Sequence, residues 1–242
     1  MISVIVPTYN EEKNIERCLK SLENQTIPRN KFKVIVVDGQ SKDRTVEIAK
    51  KYADKVIQQK SKGVGGARND GVEIARGNII AVTDADSILF KNWIERVQKN
   101  FKEKVVIGTF GFLKPIDFNG VRKLEKIIYE IVFEISNILL ILMAKIGYYH
   151  LCGSNCAFRR ETFLKIGGYS HLPYSDDIEI MKRLKPFGEI ILDKRMRVKY
   201  SVRRIKKMGM KKYILLILRN DFITMILNMK PITGNYSRQE YS

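Results

Sequence analysis

Short apolar and β-branched runs alternate with amphipathic stretches through the first third of the chain. The runs lie at residues 2–6, 34–37, 56–57 and 79–83. Runs of this length that are bounded by turn-forming residues predict buried strands. After the first run, Ile15, Leu19 and Leu22 recur at spacings of four and three, which predicts a helix with one buried face. Strands that alternate with helices through short loops predict an α/β fold with a doubly wound, mostly parallel sheet flanked by helices.

Breaker residues set the expected ends of these elements. Pro7 follows the first run, and because proline has no backbone N–H, we expect the first strand to end at residue 6. Further helices are predicted at residues 46–52 and 67–75. Three glycines between residues 60 and 66 predict a loop ahead of the second of these helices.

The second half of the chain contains one long helical pattern. A helix is predicted at residues 93–101 and a strand at residues 105–112. Residues 121–145 then place apolar side chains at alternating spacings of four and three, which predicts a helix. Residues 138–143 are apolar all round, so this part is either buried or inserted in an interface. The longest uncharged apolar-rich run has 10 residues. That is too short to cross a bilayer, so we predict no transmembrane helix.

The composition is that of a folded but strongly basic protein. The 242 residues are 45% hydrophobic and 29% charged, which suits one sizeable domain. Lys and Arg number 44 against 26 Asp and Glu, for a net charge of +18, and most of the excess lies in residues 111–242. Residues 194–212 include 10 basic side chains and no acidic one. This half is expected to meet phosphates, nucleic acid or a lipid surface.

The cysteines indicate a reducing compartment. Cys18, Cys152 and Cys156 are few and odd in number, as expected of free thiols. His150 lies near two of them, but the spacing lacks a Cys-x2-Cys pair and a fourth ligand, which argues against zinc. No basic segment followed by a long apolar one precedes a cleavage site, so we do not expect a signal peptide.

Polar clusters follow three of the predicted strands. Asp84 and Asp86 follow the run at residues 79–83, and residues two apart in an extended chain point to the same side, so both carboxylates can converge on one ligand. Such oxygen ligands suit Mg²⁺ or Mn²⁺. The other clusters are residues 7–11 and 38–39. Because ligands of doubly wound sheets bind beyond the carboxyl ends of the strands, the three clusters predict one site.

Four segments together resemble the family 2 glycosyltransferases with the GT-A fold. They are residues 4–11 (VIVPTYNE), 36–45 (VVDGQSKDRT), 65–69 (GGARN) and 84–86 (DAD). Their order and spacing match over residues 1–110. The resemblance implies a GT-A-like sheet and an inverting transferase that uses a nucleotide-diphosphate sugar.

The resemblance also implies roles for individual residues. Residues 7, 9 and 11 would border the base and ribose, and Asp38 would contact the base. Asp84 would lie near the ribose and the metal, and Asp86 would ligate the metal, a divalent Mn²⁺ or Mg²⁺. Gly39 departs from the pattern, since many relatives have a second aspartate there, which weakens inference about the base. The expected donor-binding residues are Pro7, Tyr9, Glu11, Asp38, Lys62, Arg68 and Asp84.

The glycine-rich segment is expected to approach the donor diphosphate. It lacks the spacing of a dinucleotide-binding glycine motif and does not directly follow the first strand. Lys62 and Arg68 flank it and would supply positive charge.

Two segments of the second half resemble the acceptor side of the same family. Residues 151–161 match its Gly-x-Asn-x-Ala-Phe-Arg-Arg segment, which implies that Ser154 and Asn155 lie at the acceptor. Residues 176–184 match its Glu-Asp-x-Asp-Leu-x-x-Arg-Leu segment, with Asp176 in place of Glu and Glu179 in place of Asp. The match places Asp177 as the catalytic base and Asp176 near the acceptor. Helix N-capping by either aspartate remains an alternative and is compatible with these roles.

The C-terminal part combines charge with apolar residues. A mostly apolar helix is predicted at residues 213–229, directly after the basic stretch, which is the composition of an interfacial anchor on anionic lipid. Alternatively, Arg203 and Arg204 neutralise the leaving diphosphate, as an arginine does in some relatives. We divide the chain into a transferase domain at 1–202, with a donor half at 1–110 and an acceptor half at 111–202, and a basic amphipathic helical extension at 203–242.

The sequence therefore predicts a cytoplasmic glycosyltransferase, peripheral on the inner face of the cell membrane. Its acceptor would be a lipid-linked phosphate or a glycan, and its oligomeric state is left open. A nucleotidyltransferase is one alternative, but it would have a basic glycine-rich loop directly after the first strand. A nucleic-acid-binding protein is another, but only Tyr200 is aromatic within the basic stretch, so we expect no nucleic-acid partner. A third alternative is an inactive sugar-nucleotide sensor, against which the three aspartates at 84, 86 and 177 argue.

Overall fold

The computed structural model describes residues 1–149, 153–170 and 176–225. The strands in these ranges are β1 (Ile2–Thr8), β2 (Phe32–Asp38), β3 (Lys55–Gln58), β4 (Ile79–Val82), β5 (Ile88–Leu89), β6 (Val106–Ile116), β7 (Cys156–Arg159) and β8 (Glu189–Ser201). The helices are α1 (Ile15–Glu23), α2 (Thr45–Ala49), α3 (Gly63–Ile74), α4 (Trp93–Asn100), α5 (Lys123–Lys145), α6 (Arg160–Lys165), α7 (Asp176–Leu184), α8 (Arg203–Met208) and α9 (Met210–Met225).

The strands form one mixed, mostly parallel sheet in the order β3-β2-β1-β4-β7-β6-β8-β5. The four strands from β3 to β4 are parallel. β7 runs antiparallel to both β4 and β6, whereas β6 and β8 are parallel. The α/β class and the parallel first half are confirmed. The carboxyl ends of β1, β2 and β4 meet at one edge, where the three polar clusters were expected.

Apolar layers cover both faces of the sheet. Val4 and Val6 of β1 point into one core with Trp93 of α4. Ile5, between them, points into the other core with Phe158 of β7. Because successive residues of a strand face opposite sides, a strand with both faces buried is apolar throughout, which explains the unbroken run at the start of the chain.

The expectation that Pro7 ends β1 is wrong. The strand continues to Thr8, and Pro7 pairs in register with Val37 of β2. The Thr8 carbonyl accepts from the N–H of Gly39 on the β2 side, and the Ile5 carbonyl accepts from Thr83 on the β4 side. Pro7 shares the orientation of Ile5, so its missing N–H faces the side on which β4 has already ended. No ladder hydrogen bond is lost, and the proline is tolerated.

The glycine-rich segment is helical, in contrast to the expected loop. α3 begins at Gly63 and includes all three glycines. Asp70 of α3 holds the residues that precede the helix, since its carboxylate accepts from the N–H groups of Lys60 and Ser61 at 2.6 and 3.0 Å. A Cβ on Gly66 would lie 2.8 Å from the Cβ of Ser61. Small residues are therefore needed here for close packing of the helix start.

The basic stretch at residues 194–212 is partly a strand that the sequence analysis did not predict. β8 extends to Ser201, with Met196 and Val198 buried and Lys194 and Arg197 exposed. Met196, Val198 and Tyr200 alternate with Arg195, Arg197 and Lys199, a period of two that the sequence analysis treated only as a basic run. β5 and β7 were also not predicted, since runs of two and four residues are too short for a periodic signal.

The long helix at residues 121–145 is confirmed as α5, but the prediction of no membrane-spanning segment is not supported. Within the described part of the chain, α5 is long and apolar enough to cross a membrane, by length and composition only, and 17% of its apolar window is buried. The prediction of no transmembrane helix considered only apolar runs that contain no charged residue. The charges within α5, such as Glu130 and Glu134, interrupt that run without removing the apolar character of the helix. Part of the predicted C-terminal helix forms α9, and residues 226–242 lie outside the described ranges.

Candidate active site

The two aspartates after β4 lie in a turn rather than on an extended strand. β4 ends at Val82, and the N–H of Ser87 donates to the carbonyl of Asp84 at 3.1 Å. The expectation that an extended chain aligns the two carboxylates is therefore wrong in its geometry. The carboxylates are nevertheless close enough to interact, because the charge of Asp84 contributes to raising the pKa of Asp86.

Asp86 is the most strongly perturbed carboxylate of the site. Its side chain is 2% exposed. Burial raises the pKa of Asp86 to about 6, Arg204 opposes this shift, and Asp84 adds to it. Because burial disfavours the ionised form of this carboxyl, a bound cation would stabilise its charge more than it would at an exposed site.

Arg203 joins the C-terminal part of the chain to this carboxylate. Its Nη2 atom lies 3.2 Å from Asp86 Oδ2 and also pairs with Glu11 Oε1. Glu11 is held from its other side by Asn14, whose Nδ2 donates to Oε2 at 2.7 Å, and its own N–H donates to Thr45 Oγ1 at 2.7 Å. The expected donor residue Glu11 and the expected diphosphate residue Arg203 therefore meet in one cluster, and Arg204 is half-buried beside it.

A further arginine of this cluster, Arg17, was not predicted. Arg17 of α1 forms a two-pronged ion pair with Asp117, which follows β6, and its Nη2 lies 3.5 Å from the Asp86 carbonyl oxygen. Partial burial would raise the pKa of Asp117, but hydrogen bonds from Arg17 and Ser201 lower it below its usual range. No local sequence signal connects residues 17 and 117, because the pair exists only when α1 and β6 are packed together.

Arg68 lies between the two sides of the site. Its Nη1 is 3.0 Å from Asp177 Oδ1 and its Nη2 is 3.4 Å from Asp84 Oδ1. The guanidinium stacks 5.1 Å from the ring centroid of Tyr169, and Arg68 is 3% exposed. A Cβ on Gly153 would lie 2.2 Å from Arg68 Nη2, so a larger residue there would force the guanidinium to shift. The predicted contact of Arg68 with the donor diphosphate stays a prediction.

The expected base, Asp177, is fixed by two donors. Arg68 holds one carboxylate oxygen, and the N–H of Gly153 donates to the other, Oδ2, at 2.9 Å. Asp177 lies at the start of α7, and its side chain is 22% exposed. It is therefore oriented but accessible. Asp176 is the first residue of α7, and its side chain is outside the described set, as are residues 171–175.

The segment before α7 is tied down by two pairs of hydrogen bonds. Asn69 Nδ2 donates to the Tyr169 carbonyl at 2.8 Å, and the Tyr169 N–H donates to Asn69 Oδ1 at 2.9 Å. Arg183 of α7 pairs with Glu179 and donates to the carbonyls of Ile166 and Gly168. The residues that correspond to the family's Asp and Arg at this place thus hold the loop to the helix.

Ser154 and Asn155 are deeply buried, at 1% and 0% exposure. The side-chain amide oxygen of Asn155, Oδ1, accepts from the indole N–H of Trp93 at 2.7 Å. Its amide donates to the carbonyls of Phe112 and Met196, both at 3.0 Å. Asn155 therefore joins α4, β6 and β8 beneath the site. These bonds occupy both amide hydrogens and one lone pair of the side-chain oxygen, which leaves one lone pair for another partner. The predicted contact of Asn155 with the acceptor stays a prediction.

The remaining predicted donor residues surround the ends of β1 and β2. Asp38, at the end of β2, accepts from the N–H and the hydroxyl of Ser41 at 2.9 and 2.5 Å. Pro7 is buried in β1, Tyr9 is half-buried after it, and Lys62 is exposed at the start of α3. Their roles toward a donor stay predictions.

The carboxylates fit a weakly chelated divalent cation. No group of three or more His, Cys, Asp or Glu side chains with metal-binding geometry occurs in the part of the chain that the structure describes. Two carboxylates remain, and Asp86 Oδ2 is buried with the guanidinium of Arg203 at 3.2 Å but accepts no hydrogen bond among the described residues. Mg²⁺ and Mn²⁺ are commonly held by one or two carboxylates, with water and substrate phosphates completing the shell. The donor set thus fits such an ion. His150 and Cys152, considered for zinc, lie outside the described residues, while Cys18 and Cys156 are buried.

Two curated relatives are similar to part of this chain. A curated relative, glycosyltransferase AglE of Haloferax volcanii, is 40% identical over 101 residues, covering 39% of this chain and 33% of the relative. A dolichyl N-acetyl-α-D-glucosaminyl phosphate 3-β-D-2,3-diacetamido-2,3-dideoxy-β-D-glucuronosyltransferase of Methanococcus voltae is 32% identical over 142 residues, covering 53% of this chain and 44% of the relative. The chain thus spans less than half the length of either relative.

A solved structure shares the fold. The mannosyltransferase PcManGT of Pyrobaculum calidifontis, in complex with GDP-Man and Mn²⁺, superposes with a TM-score of 0.74 at 23% identity, covering 96% of this chain and 65% of that one. At this identity the likeness establishes a GT-A-like fold. The family model described as "Glycosyl transferase family 2" matches residues 3–167, more than half of the chain. The chain belongs to glycosyl transferase family 2.

Proposed function

We propose that this protein transfers a sugar, with inversion at the anomeric carbon, from a nucleotide-diphosphate donor to an acceptor hydroxyl or phosphate. The observation that supports it most is the shared guanidinium of Arg68, which lies within 3.4 Å of both Asp84 on the donor side and Asp177 on the acceptor side. The carboxylates proposed for the donor and the acceptor therefore share one guanidinium. Transfer between two bound substrates needs this proximity.

Asp84 and Asp86 would hold the divalent cation, Mn²⁺ or Mg²⁺. When bound, the cation supplies positive charge to the diphosphate oxygens as the leaving group departs. Arg203 and Arg204 lie beside Asp86 and can stabilise the same negative charge. Pro7, Tyr9, Glu11, Asp38 and Lys62 would surround the nucleoside and the diphosphate. The contact of Arg203 with Glu11 and Asp86 implies that its side chain changes partners when the donor binds.

Asp177 would act as the base. It takes the proton of an acceptor hydroxyl as the oxygen bonds to the anomeric carbon and the nucleoside diphosphate leaves from the opposite face. An effect of this kind is typically worth about 10²–10⁴ in rate. The donors on its carboxylate, Arg68 and the Gly153 N–H, fix its direction. An acceptor that is already an anionic phosphate would need this base less.

The acceptor is proposed to be a lipid-linked phosphate or a glycan at the cytoplasmic face of the cell membrane, with Ser154, Asn155 and Asp176 near it. The Methanococcus voltae relative is named for a dolichyl-phosphate-linked sugar acceptor. The basic residues at 194–212 support peripheral attachment to anionic lipid, since each Lys or Arg near such a surface contributes about 1 kcal/mol.

A screen of nucleotide sugars with and without Mn²⁺ tests the proposal. A donor at about 100 times its dissociation constant should add about 2.7 kcal/mol to the free energy of unfolding, measured as a higher melting temperature. The stabilising donor is then incubated with lipid-linked acceptors. Release of a nucleoside diphosphate and an inverted glycosidic bond is the expected result. Release of a sugar 1-phosphate, from attack at the phosphorus next to the nucleoside, would identify a nucleotidyltransferase, and donor binding without turnover on any acceptor would favour the sensor.

A further inference from the structure

The outward face of α5 is an apolar stripe that the fold leaves uncovered. Nine large aliphatic side chains of this helix and its C-cap are between 43% and 73% exposed. At 100° per residue they fall within an arc of about 120° and extend about 33 Å along the helix axis. We call them the α5 stripe: Leu124, Ile127, Ile128, Ile131, Ile135, Ile138, Leu139, Leu142 and Ile146. Large uncovered patches of this kind mark interaction surfaces.

The opposite face attaches α5 firmly to the domain. Its buried residues are Tyr129, Phe133 and Asn137, which recur every four residues. Tyr129 and Phe133 pack against Val202 and Ile205. Asn137 accepts from the Leu113 N–H at 3.3 Å and donates to the Leu113 carbonyl at 3.1 Å. The helix is therefore held along one side, and the α5 stripe faces away from the protein.

Basic side chains adjoin the N-terminal half of the α5 stripe. Ile128 of the stripe lines an open groove together with Lys206 of α8 and Met210 of α9. Lys206 and Lys207 are exposed there, followed by exposed Lys211 and Lys212. Two of the three acidic side chains in this half of α5 are paired, Glu125 with Arg122 and Glu130 with Lys126, and the third, Glu134, is exposed. Positive charge thus lies beside the apolar surface.

We propose that the α5 stripe is the surface by which this protein lies on an anionic lipid bilayer, as an in-plane interfacial helix with the α8–α9 lysines at the headgroups. Apolar side chains in the acyl boundary beside cations at the headgroups are the composition of such helices. A second copy of the chain fits less well. Lys145 and Lys185 lie toward the C-terminal end of α5, so both ends of the stripe are basic, and a twofold contact between two stripes would bring like charges together.

The attachment of α5 also decides how the helix meets the membrane. Crossing the bilayer would require it to leave Leu113 of β6 and the buried side of α8. Lying in the interface uses the exposed arc alone and keeps both contacts. Since α8 carries Arg203 as well as Lys206, the active-site cluster is next to the bound surface. A lipid-anchored acceptor would then lie near this cluster. That consequence rests on the proposed function, whereas lipid binding itself does not.

Vesicle binding of the full chain tests the proposal. We expect the wild type to sediment with phosphatidylcholine vesicles that contain phosphatidylglycerol, more strongly at low than at high salt. The double variant Ile131→Gln/Ile138→Gln should lower the partition coefficient at least about tenfold. The matched control is Val105→Gln/Leu164→Gln, two aliphatic residues of similar exposure outside the stripe, which should bind like the wild type. Equal binding of the stripe variant and the wild type would overturn the proposal, and so would failure of the wild type to bind.

A tryptophan probe keeps the test decisive if the double variant folds poorly. The single native tryptophan, Trp93, is fully buried. In Ile135→Trp, vesicles with brominated acyl chains should quench the added emission, and in the control Leu164→Trp they should not. Absence of quenching at residue 135 would place the stripe outside the bilayer. Sedimentation velocity covers the rival occupant: a wild-type dimer that becomes a monomer in the stripe variant would assign the stripe to a second copy instead.

Discussion

Arg68 and Asp177 are 109 residues apart in the chain and form an ion pair of 3.0 Å in the middle of the active site. The pair joins α3, which lies between β3 and β4 in the chain, to α7, on which the proposed base lies. Because Arg68 also contacts Asp84, it connects the turn after β4 to the carboxylate proposed as the base. The separation of donor binding from chemistry can therefore be tested by changing one end of this chain of contacts at a time.

Changing Asp177 to Asn should separate turnover from donor binding. The amide keeps the volume of the carboxylate but cannot accept a proton, so turnover should fall about 10²–10⁴-fold. Donor affinity, measured by calorimetric titration, should stay within a few-fold of wild type, since the proton is transferred only in the transition state. Equal losses of donor affinity and turnover would instead assign Asp177 to the donor pocket.

Changing Asp86 to Asn should abolish the dependence of donor binding on the cation. The substitution removes a charged oxygen ligand without changing the volume. We expect titration of a nucleoside diphosphate to give tighter binding with Mn²⁺ in the wild type and no Mn²⁺ effect in the variant. The control is Asp54→Asn, which removes a surface carboxylate paired with Arg29 and Lys33 and should retain the Mn²⁺ effect. A persistent Mn²⁺ effect in Asp86→Asn would contradict the assignment.

The same substitution should stabilise the protein in the absence of metal. The pKa of Asp86 is raised from 3.8 to about 6, chiefly by burial, so the folded state binds this proton more tightly than the unfolded state does. The free energy of unfolding therefore falls as pH rises from about 4 to about 6, by up to about 3 kcal/mol. Asp86→Asn removes this loss.

Urea denaturation in the presence of a chelator measures this effect. At neutral pH the variant should be more stable than the wild type by about 1–3 kcal/mol. At pH 4 the difference should be small, because the wild-type carboxyl is then largely protonated. A variant less stable than the wild type at neutral pH would mean that the ion pair with Arg203 outweighs the burial of the charge.

Changing Gly153 to Ala should displace the guanidinium of Arg68. The added Cβ would lie 2.2 Å from Nη2 and 2.7 Å from the guanidinium carbon, so the side chain must move away from Asp84 and Asp177. We expect a loss of about 1–3 kcal/mol of stability from overpacking, together with lower turnover.

Gly108→Ala is the matched control for this change. A Cβ there meets its nearest neighbour at 3.6 Å, which is ordinary contact. Its thermal midpoint and turnover should remain near wild type. If Gly153→Ala kept full turnover and an unchanged melting temperature, the proposed role of the Arg68 bridge would be wrong.

The sequence by itself determined the parallel half of the sheet. The apolar runs that became β1, β2 and β4 are buried on both faces, so their unbroken hydrophobicity identified them without any tertiary information. The polar residues after each run then had to meet at one edge, since parallel strands end together. The long helix α5 was equally clear, because its apolar spacing persists through 23 residues.

Tertiary structure decided which neighbours each residue has. Pro7 is tolerated inside β1 only because β4 ends before it, and Gly66 of α3 must be small because the helix start packs against Ser61. Arg17 meets Asp117 and Arg203 meets Glu11 across long stretches of chain. The sequence also left open whether the apolar part of α5 is buried or inserted, and only packing showed which arc is uncovered. The physical reason is common to all of these: local periodicity reports how much of a segment is apolar, whereas pairing, burial and exposure depend on segments distant in sequence that only the folded chain brings together.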